Sequence, residues 1–312
     1  MILKDIGWLW VNSAAVCEGT GFVLAVRRFR FLARALAVYG SIRPIINAPR
    51  KSPLGRLIQD RPETIGAVIW PYQCSSWNAR TRLARICEHY SVVESIRGPI
   101  DFPVHGRILL LDLIEIREGL CVVVDQPKWF MREGQLTINL FLGETRLFSL
   151  AFSLFHQHGH IAAFVGAIQG RDIEGALDLY RELTKASHGM RPRDLLIEVF
   201  RMFCALLGVR DIFAVTDEYR HHRSSYFGKA PPKKSSVNYN DVWEDRGGVR
   251  IDPMFYKLSM DGLQREIHEV PAKKRSMYRR RYDMLELLRR QMDEYYRSLE
   301  RGLALEIPVS RD

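Results

Sequence analysis

The chain has 312 residues, 47% of them hydrophobic, so it can bury the core of one large domain or two small ones. A net charge of +10 favours anionic partners such as nucleic acid, acidic lipid head groups or a phosphorylated ligand. The five cysteines are scattered, which predicts a reducing compartment and argues against a zinc site built from cysteines. No apolar run in the sequence is long enough to cross a bilayer, so we expect no spanning helix and, with the cysteines, a cytoplasmic protein. The alternative is secretion, because Lys4 and the short apolar run from Ile6 to Cys17 meet the pattern of a signal peptide in part.

Residues 1–105 are predicted to be mainly helical. Segment 21–39 is apolar apart from arginines that share one arc of a helix: Arg27, Arg30 and Arg34. We favour a core helix with one hydrated edge; the alternative is a helix on an anionic membrane surface, with the protein peripheral at the inner membrane. Segment 41–63 carries four prolines and predicts an irregular connector, whereas segment 76–95 predicts a helix.

Residues 106–265 are predicted to form an α+β domain. Runs rich in branched and aromatic residues, separated by turn pairs such as Glu-Gly and His-Gly, are typical of an antiparallel meander. The predicted strands are 108–116, 120–124, 136–142, 146–155 and 160–168. A helix over 172–185, a helix from Pro192 and a buried strand at Ile212–Val215 add a strand–helix–strand unit. Residues 266–312 are predicted to be a charged helix and tail.

The segment His188–Arg193 is the leading candidate for a ligand site. Its turn opens an amphipathic helix, where free backbone N–H groups and the helix dipole favour an anionic donor. The residues assigned to donor binding are Gly189, Met190, Arg191, Arg193 and Gln169. The alternative is an ordinary loop between a glycine and a proline, because Pro192 lacks an N–H for the anion.

Polar residues that follow the strand Ile212–Val215 are candidates for chemistry, because ligands bind at the carboxyl ends of parallel strands. Catalytic roles are assigned to Asp217, Glu218, His188 and Tyr226. Substrate contacts are assigned to His221, His222, Trp243 and Glu244. The helical crossover predicts that this strand is parallel to the one ending at Ile168, which would place Gln169, His188 and Asp217 around one crevice. A plain loop cap is the alternative for Asp217.

Three histidines alternate in the sequence as metal ligands on a strand would: His156, His158 and His160. The pair His158-Gly159 favours a hairpin turn, which would break the alternation and separate the three rings. We therefore predict no metal site.

Four segments resemble the bacterial VirK/YbjX family over roughly residues 20–300. They are Ala167-Ile168-Gln169-Gly170, Ser187-His188-Gly189-Met190-Arg191-Pro192, the run from Tyr239 to Gly248, and Phe255-Tyr256-Lys257-Leu258. The resemblance implies a virulence or envelope-stress setting more than a reaction. The order of strand, Gly189 turn, helix, Gly208-Val209 and strand is also similar to the core of the GCN5-related N-acyltransferases. That similarity implies acyl-CoA or another activated donor as co-substrate, held by its pyrophosphate, with no tightly bound cofactor.

Two functions of different classes follow. The first is an acyltransferase that passes an acyl group from an anionic, activated donor to an amine. The second is a non-catalytic, virulence-associated adaptor whose basic surface binds anionic envelope components or a partner. A further alternative is an aminoacyl-tRNA-dependent transferase, which the basic charge fits although no nucleic-acid motif supports it.

Overall fold

The computed structural model describes residues 2–96, 98, 100–228 and 237–300. These residues form an eight-stranded, mostly antiparallel sheet with packed helices, which confirms the predicted α+β class. The predicted tail beyond residue 300 lies outside them. Among the helices described, none combines the length and the apolar character needed to cross a bilayer.

The described part of the N-terminal region contains five α-helices. They are α1 Ile2–Asn12, α2 Gly21–Ala37, α3 Tyr39–Ile46, α4 Pro53–Asp60 and α5 Ala79–Ile96. The helix predicted for 76–95 is confirmed as α5, whereas the irregular connector predicted over 41–63 is wrong. Pro53 begins α4, where its missing N–H breaks no intrahelical bond, and the Ser52 hydroxyl caps this helix by accepting from the Gly55 N–H at 3.1 Å.

Helix α2 confirms the helix predicted over 21–39 but not its expected core packing. Only Phe31 and Ala35 of this helix are buried. They belong to a small hydrophobic cluster of the N-terminal helices that is distinct from the core around the sheet. Most of α2 is therefore exposed or half-buried.

The sheet contains the predicted meander. Its strands are β1 Arg107–Asp112, β2 Leu120–Asp125, β3 Leu136–Leu142, β4 Thr145–Gln157, β5 His160–Gly170, β6 Val209–Val215, β7 Val249–Arg250 and β8 Phe255–Leu258. Their spatial order is β1-β2-β3-β4-β5-β6-β8-β7. His158 and Gly159 both have positive φ and form the turn between β4 and β5, as predicted.

Two helices, α6 Ala176–Ala186 and α7 Pro192–Leu206, connect β5 to its parallel neighbour β6. This confirms the predicted strand–helix–strand unit. Helix α7 packs on one face of the sheet, where the Phe200 ring lies 4.9 Å from that of Phe152 in β4. The next residue, Ser153, contacts the Tyr72 hydroxyl at 2.7 Å and so marks the opposite face. Helix α7 and Tyr72 therefore lie on opposite faces of the sheet. Helices α8 Tyr239–Asp245 and α9 Ala272–Glu300 complete the fold.

Strands β5 and β6 separate towards their carboxyl ends. Their pairing stops at Val165 and Ala214. Gly166 comes next and is an extra residue in β5 with no partner in β4, that is, a β-bulge. A Cβ at this position would collide with the Glu133 carbonyl oxygen. The bulge therefore lies where the gap between the two parallel strands begins and lets the loop of Glu133 pack against β5.

Candidate functional site

Glu133 is a buried carboxylic acid in the loop between β2 and β3. Its Oε1 accepts a hydrogen bond from Gln169 Nε2 at 2.7 Å and lies 3.6 Å from His221 Nδ1. Burial raises the pKa of Glu133 to about 8, although the Arg220 guanidinium and the Gln169 bond act in the opposite direction. The acid is therefore mostly protonated at neutral pH.

The position of Glu133 is maintained by backbone contacts. The Gln73 side-chain amide donates to the Glu133 carbonyl at 3.3 Å and to the Phe164 carbonyl of β5 at 3.1 Å. The Gln73 backbone N–H also donates to the Arg132 carbonyl at 2.7 Å. Because Gly166 permits close approach, these bonds fix the Glu133 loop to the strand that carries Gln169.

His221 supplies the second member of the buried pair. Burial lowers its pKa to about 3, and the positive field of His222, Arg132 and Arg220 lowers it further. The pKa of His222 is lowered to about 4, again mainly by burial. The pair therefore consists of a protonated carboxyl beside a neutral imidazole at pH 7. The pKa of Glu133 lies above that of His221, which is the reverse of the usual order for a carboxylic acid and an imidazole.

Asp217 lies near this pair but is already engaged. Its Oδ1 contacts Arg220 Nη1 at 3.2 Å and accepts from the Tyr239 N–H at 3.3 Å, while Oδ2 pairs with Arg223. Although burial opposes it, these contacts together lower the pKa of Asp217. Arg220, which also stacks 3.8 Å from the Tyr239 ring centre, thus links Asp217 to the Glu133 site. A carboxylate bound to two arginines is a poor proton acceptor.

Helix α8 occupies the gap between the diverging strands. The Tyr239 hydroxyl accepts from the Ile168 N–H of β5 at 2.9 Å. The Trp243 indole N–H donates to the Val215 carbonyl of β6 at 2.8 Å. Each side chain thus satisfies a backbone group that lies beyond the last pair of the two strands. Trp243, a predicted substrate contact, is fully buried in this position.

A cavity of about 580 Å³ lies beside Gln169, at the ends of β4 and β5. Ser149, Arg146 and Arg171 supply polar groups to its wall, and Trp129 supplies an aromatic one. Arg146 pairs with buried Asp125 at 2.9 Å, which fixes its guanidinium. The cavity therefore offers positive charge close to the Gln169–Glu133 hydrogen bond.

The predicted donor loop borders a larger cavity of about 1210 Å³. His188 and Gly189 have positive φ, and the loop turns into α7 at Pro192. Among the described residues, no hydrogen-bond partner is found for the backbone N–H groups of Arg191, Arg193 and Asp194. The side chains around the cavity combine basic groups with apolar ones: Arg181, Lys185, Arg191, Arg280, Phe148 and Met277. This composition suits an anion with an apolar portion.

The two arginines assigned to the donor differ in availability. The Arg191 side chain is largely exposed, and its closest carboxylate, Asp245, is 4.0 Å away. Arg193 is mostly covered and holds Asp194 at 2.9 Å and Asp245 at 3.5 Å. Arg191 can therefore move to a ligand, whereas Arg193 is engaged in an ion-pair network at the start of α7.

The structure brings some predicted site residues together and separates others. Gln169, Asp217, His221 and His222 surround or adjoin Glu133, but His188 lines the cavity at the start of α7. The rest have local roles. Glu218 accepts from Asn240 and Glu244 from Tyr256, Met190 is buried, and Tyr226 is about half exposed beside Phe227.

Sequence reasoning missed Glu133, Arg220 and Gln73 as site residues. Glu133-Gly134 was interpreted as a turn pair, and the structure shows a turn whose carboxyl points inward. Its partners Gln73 and Gln169 are 60 and 36 residues away in the chain. No local spacing connects such positions. The only sequence signal is a glutamate between strands that are otherwise strongly apolar.

The fold and site define an α+β protein with a buried acid–base pair at the mouth of two diverging parallel strands and a basic cavity at the helix between them. The chain belongs to the family described as "Protein of unknown function (DUF535)", whose model matches residues 24–294.

Similar proteins are found in several bacteria. The chain is 29% identical over 236 residues to "Uncharacterized protein YbjX" of Escherichia coli, covering 73% of this chain and 70% of that protein. An "Uncharacterized protein" of Haemophilus influenzae is 32% identical over 133 residues, 43% of each chain. "Membrane protein LapB" of Mannheimia haemolytica is 33% identical over 60 residues, which are 19% of this chain and 27% of that protein. No solved structure matches the chain. The resemblance to the VirK/YbjX family is thus confirmed, while the similarity to N-acyltransferases stays a prediction.

Proposed function

We propose that this protein is an acyltransferase that moves an acyl group from an anionic, activated donor to an amine. The observation that carries the proposal is the buried pair of Glu133 and His221, 3.6 Å apart at the gap between β5 and β6. General base catalysis needs a group that exchanges a proton near the working pH. Burial raises the pKa of Glu133 to about 8, which meets this requirement.

The cavity at the start of α7 supports an anionic donor. The helix dipole, the backbone N–H groups of Arg191 and Arg193 and nearby basic side chains all favour negative charge there. The apolar side chains Phe148 and Met277 provide contact for an uncharged portion of the same molecule. An acyl-CoA, with its phosphates and its long apolar arm, has this chemistry.

The reaction transfers the acyl group directly. The amine nitrogen attacks the carbonyl carbon of the donor, so a C–N bond forms while the bond from that carbon to the donor sulfur or oxygen breaks. The Glu133 carboxylate accepts the proton that the amine loses. The leaving group departs with the electron pair of the broken bond and takes a proton from water, and the Glu133 carboxyl returns its proton to the hydroxide, which restores both the water and the carboxylate. With its pKa at about 8, roughly a tenth of Glu133 is ionised at pH 7.

The proposal needs a route between the two cavities, and the gap between β5 and β6 is the place for it. Phe148 lines the donor cavity, and its neighbour Ser149 lines the cavity beside Gln169, so the two spaces lie on opposite faces of β4. Tyr239 and Trp243 fill the gap in this conformation. The proposal requires α8 to move aside when the acyl arm of the donor enters.

The cavity of about 580 Å³ is the proposed acceptor site, because Gln169 connects it to Glu133. Arg171 favours an acceptor that carries an acidic group as well as its amine, whereas Arg146 is already paired with Asp125. The exposed Trp129 ring offers an apolar surface at its edge.

Calorimetric titration with acetyl-CoA and with a long-chain acyl-CoA tests the donor site. We expect saturable binding that weakens about tenfold in a Lys185→Ala/Arg191→Ala protein, since each cation contributes a charge-assisted contact. The matched control replaces two exposed arginines elsewhere, Arg80→Ala/Arg210→Ala. Absence of binding by both donors contradicts the proposal. Binding that never leads to release of coenzyme A with any amine favours the adaptor function instead.

A further inference from the structure

The outer faces of α1 and α2 expose large apolar side chains. The exposed fractions are 85% for Leu3, 68% for Val11, 83% for Phe22 and 63% for Phe29. Phe22, Phe29 and Leu36 recur every seven residues and therefore lie along one side of α2. We call the surface formed by Leu3, Trp10, Val11, Phe22, Phe29 and Leu36 the N-terminal apolar face.

Helix α2 has three distinct sides. Phe31 and Ala35 are directed into the N-terminal hydrophobic cluster, while the apolar face is directed outward. Arg27, Arg30 and Arg34 lie along a flank between these two sides. Arg27 donates to the Glu18 carbonyl at 2.6 Å, and within the described residues no carboxylate pairs with Arg30 or Arg34. A row of cations thus borders the exposed apolar surface.

The apolar surfaces of the two helices are continuous. The Trp10 ring of α1 lies 5.1 Å from the Phe29 ring of α2. The Arg28 guanidinium covers the Trp10 ring at 4.2 Å and bonds the Trp10 carbonyl and the Ser13 hydroxyl, the latter at 2.8 Å. These contacts join α1 and α2, so the face is already formed in this structure.

We infer that the N-terminal apolar face lies on a lipid bilayer that contains anionic lipids. Helices that rest in a membrane surface combine an exposed apolar side with basic residues on the flank, where the head groups are. A contiguous group of exposed, large apolar side chains is unfavourable in water and marks an interaction site. The inference concerns attachment alone and does not depend on the proposed acyl transfer.

The basic flank continues into a cavity of about 670 Å³ whose wall includes Arg30, Arg34 and Arg132. Lys128 also lines this cavity, where it pairs with Glu63 at 2.8 Å. Arg132 is the neighbour of Glu133, so the surface that would meet the bilayer is also the side of the molecule that holds the buried acid–base pair.

A second copy of this chain is a less suitable occupant. Packing two N-terminal apolar faces together would bring the two rows of arginines close to each other, and like charges repel at short range. A bilayer with anionic head groups instead supplies the opposite charge. Charge complementarity therefore selects the bilayer.

Sedimentation with vesicles tests the inference. The full chain is mixed with vesicles of phosphatidylcholine alone or of phosphatidylcholine with phosphatidylglycerol. We expect binding to the anionic vesicles that decreases with salt. A Phe22→Glu/Phe29→Glu protein should bind at least about tenfold more weakly. The matched control is Ile114→Glu/Val249→Glu, which adds the same two charges at side chains that are 59% and 66% exposed outside this face. An Arg30→Gln/Arg34→Gln protein should lose most of the preference for anionic vesicles.

Thermal denaturation of each variant confirms that it is folded, which is expected because the replaced side chains are exposed. Failure of the wild-type chain to bind anionic vesicles overturns the inference. So does equal binding by wild type and Phe22→Glu/Phe29→Glu. If the wild type instead forms a dimer that this double substitution dissociates, without vesicle binding, the face is an interface between copies and the inference is wrong.

Discussion

At the residue scale, the stability of the molecule and its proposed chemistry depend on the protonation of two neighbouring side chains, Glu133 and His221. Glu133 keeps its proton because burial disfavours the carboxylate more than Arg220 and Gln169 favour it. His221 stays neutral because it is buried among arginines. Each group is costly to ionise in the folded protein, so each makes the free energy of unfolding depend on pH, in opposite directions.

Replacing Glu133 with Gln tests how Glu133 affects the free energy of unfolding at alkaline pH. The pKa of Glu133 rises from 4.5 to about 8 on folding, so its contribution to stability is full below about pH 4.5 and is lost as pH rises through about 8. We expect Glu133→Gln to be more stable than wild type at pH 8 by on the order of a few kcal/mol, with a smaller difference at pH 5. Urea denaturation at several pH values measures this. Exposed Glu115→Gln is the control, and parallel pH curves for wild type and Glu133→Gln would refute the burial argument.

Replacing His221 with Gln tests how His221 affects the free energy of unfolding at acidic pH. The pKa of His221 falls from 6.5 to about 3 on folding, so its stabilising effect is full above about pH 6.5 and is lost as pH falls towards 3. His221→Gln should therefore lose less stability than wild type between about pH 6.5 and about pH 4. The same denaturation series gives the answer, with exposed His268→Gln as control. If His221→Gln and wild type lost the same stability over this acidic range, His221 would be protonated or exposed in the folded protein.

At the scale of elements, the site exists because β5 and β6 separate. The bulge at Gly166 lies where their pairing ends, and α8 then fills the opening. Tyr239 and Trp243 replace the backbone partners that the two strands lose. The bulge and α8 therefore stabilise an otherwise unfavourable opening in the sheet.

A Gly166→Ala protein tests the close approach at the bulge. The added methyl group would overlap the Glu133 carbonyl oxygen, so the loop must move away from β5. We expect a loss of about 1–3 kcal/mol in the free energy of unfolding, from overpacking against a rigid backbone. Gly40→Ala in α3 has free space around its Cβ and should gain up to about 1 kcal/mol from helix propensity. Equal effects of the two substitutions would contradict the assigned packing.

A Tyr239→Phe protein tests the link between α8 and β5. Without the hydroxyl, the buried Ile168 N–H loses its acceptor, which should cost about 1–3 kcal/mol of stability. The hydroxyl of Tyr282 makes its hydrogen bond at an exposed site, where water can replace it, so Tyr282→Phe should cost much less. Thermal unfolding compares them, and a neutral Tyr239→Phe would show that water or another group reaches Ile168.

At the scale of the whole molecule, periodic patterns predicted most of the elements. The alternation in β3 and the apolar stripe of α7 follow from local residue choice, and the crossover rule gave the parallel pairing of β5 with β6. The prolines in 41–63 wrongly predicted an irregular connector, because Pro53 begins a helix rather than preventing one. The Glu133 site could not be predicted, since it needs three distant segments to converge. The exposure of Phe22 and Phe29 could not be predicted either, because an apolar stripe has the same sequence pattern whether it faces a core or the solvent.

The pH dependence of acyl transfer tests most directly whether Glu133 is the general base. Release of coenzyme A from acyl-CoA, with a panel of amines, is measured between about pH 6 and about pH 9 for wild type, Glu133→Gln and Glu115→Gln. We expect a wild-type rate that rises with pH and levels off above the pKa of Glu133, about 8. We also expect a loss of about 10²–10⁴-fold in Glu133→Gln, with Glu115→Gln unchanged. A Glu133→Gln protein with the wild-type rate and pH profile would show that Glu133 is not the general base.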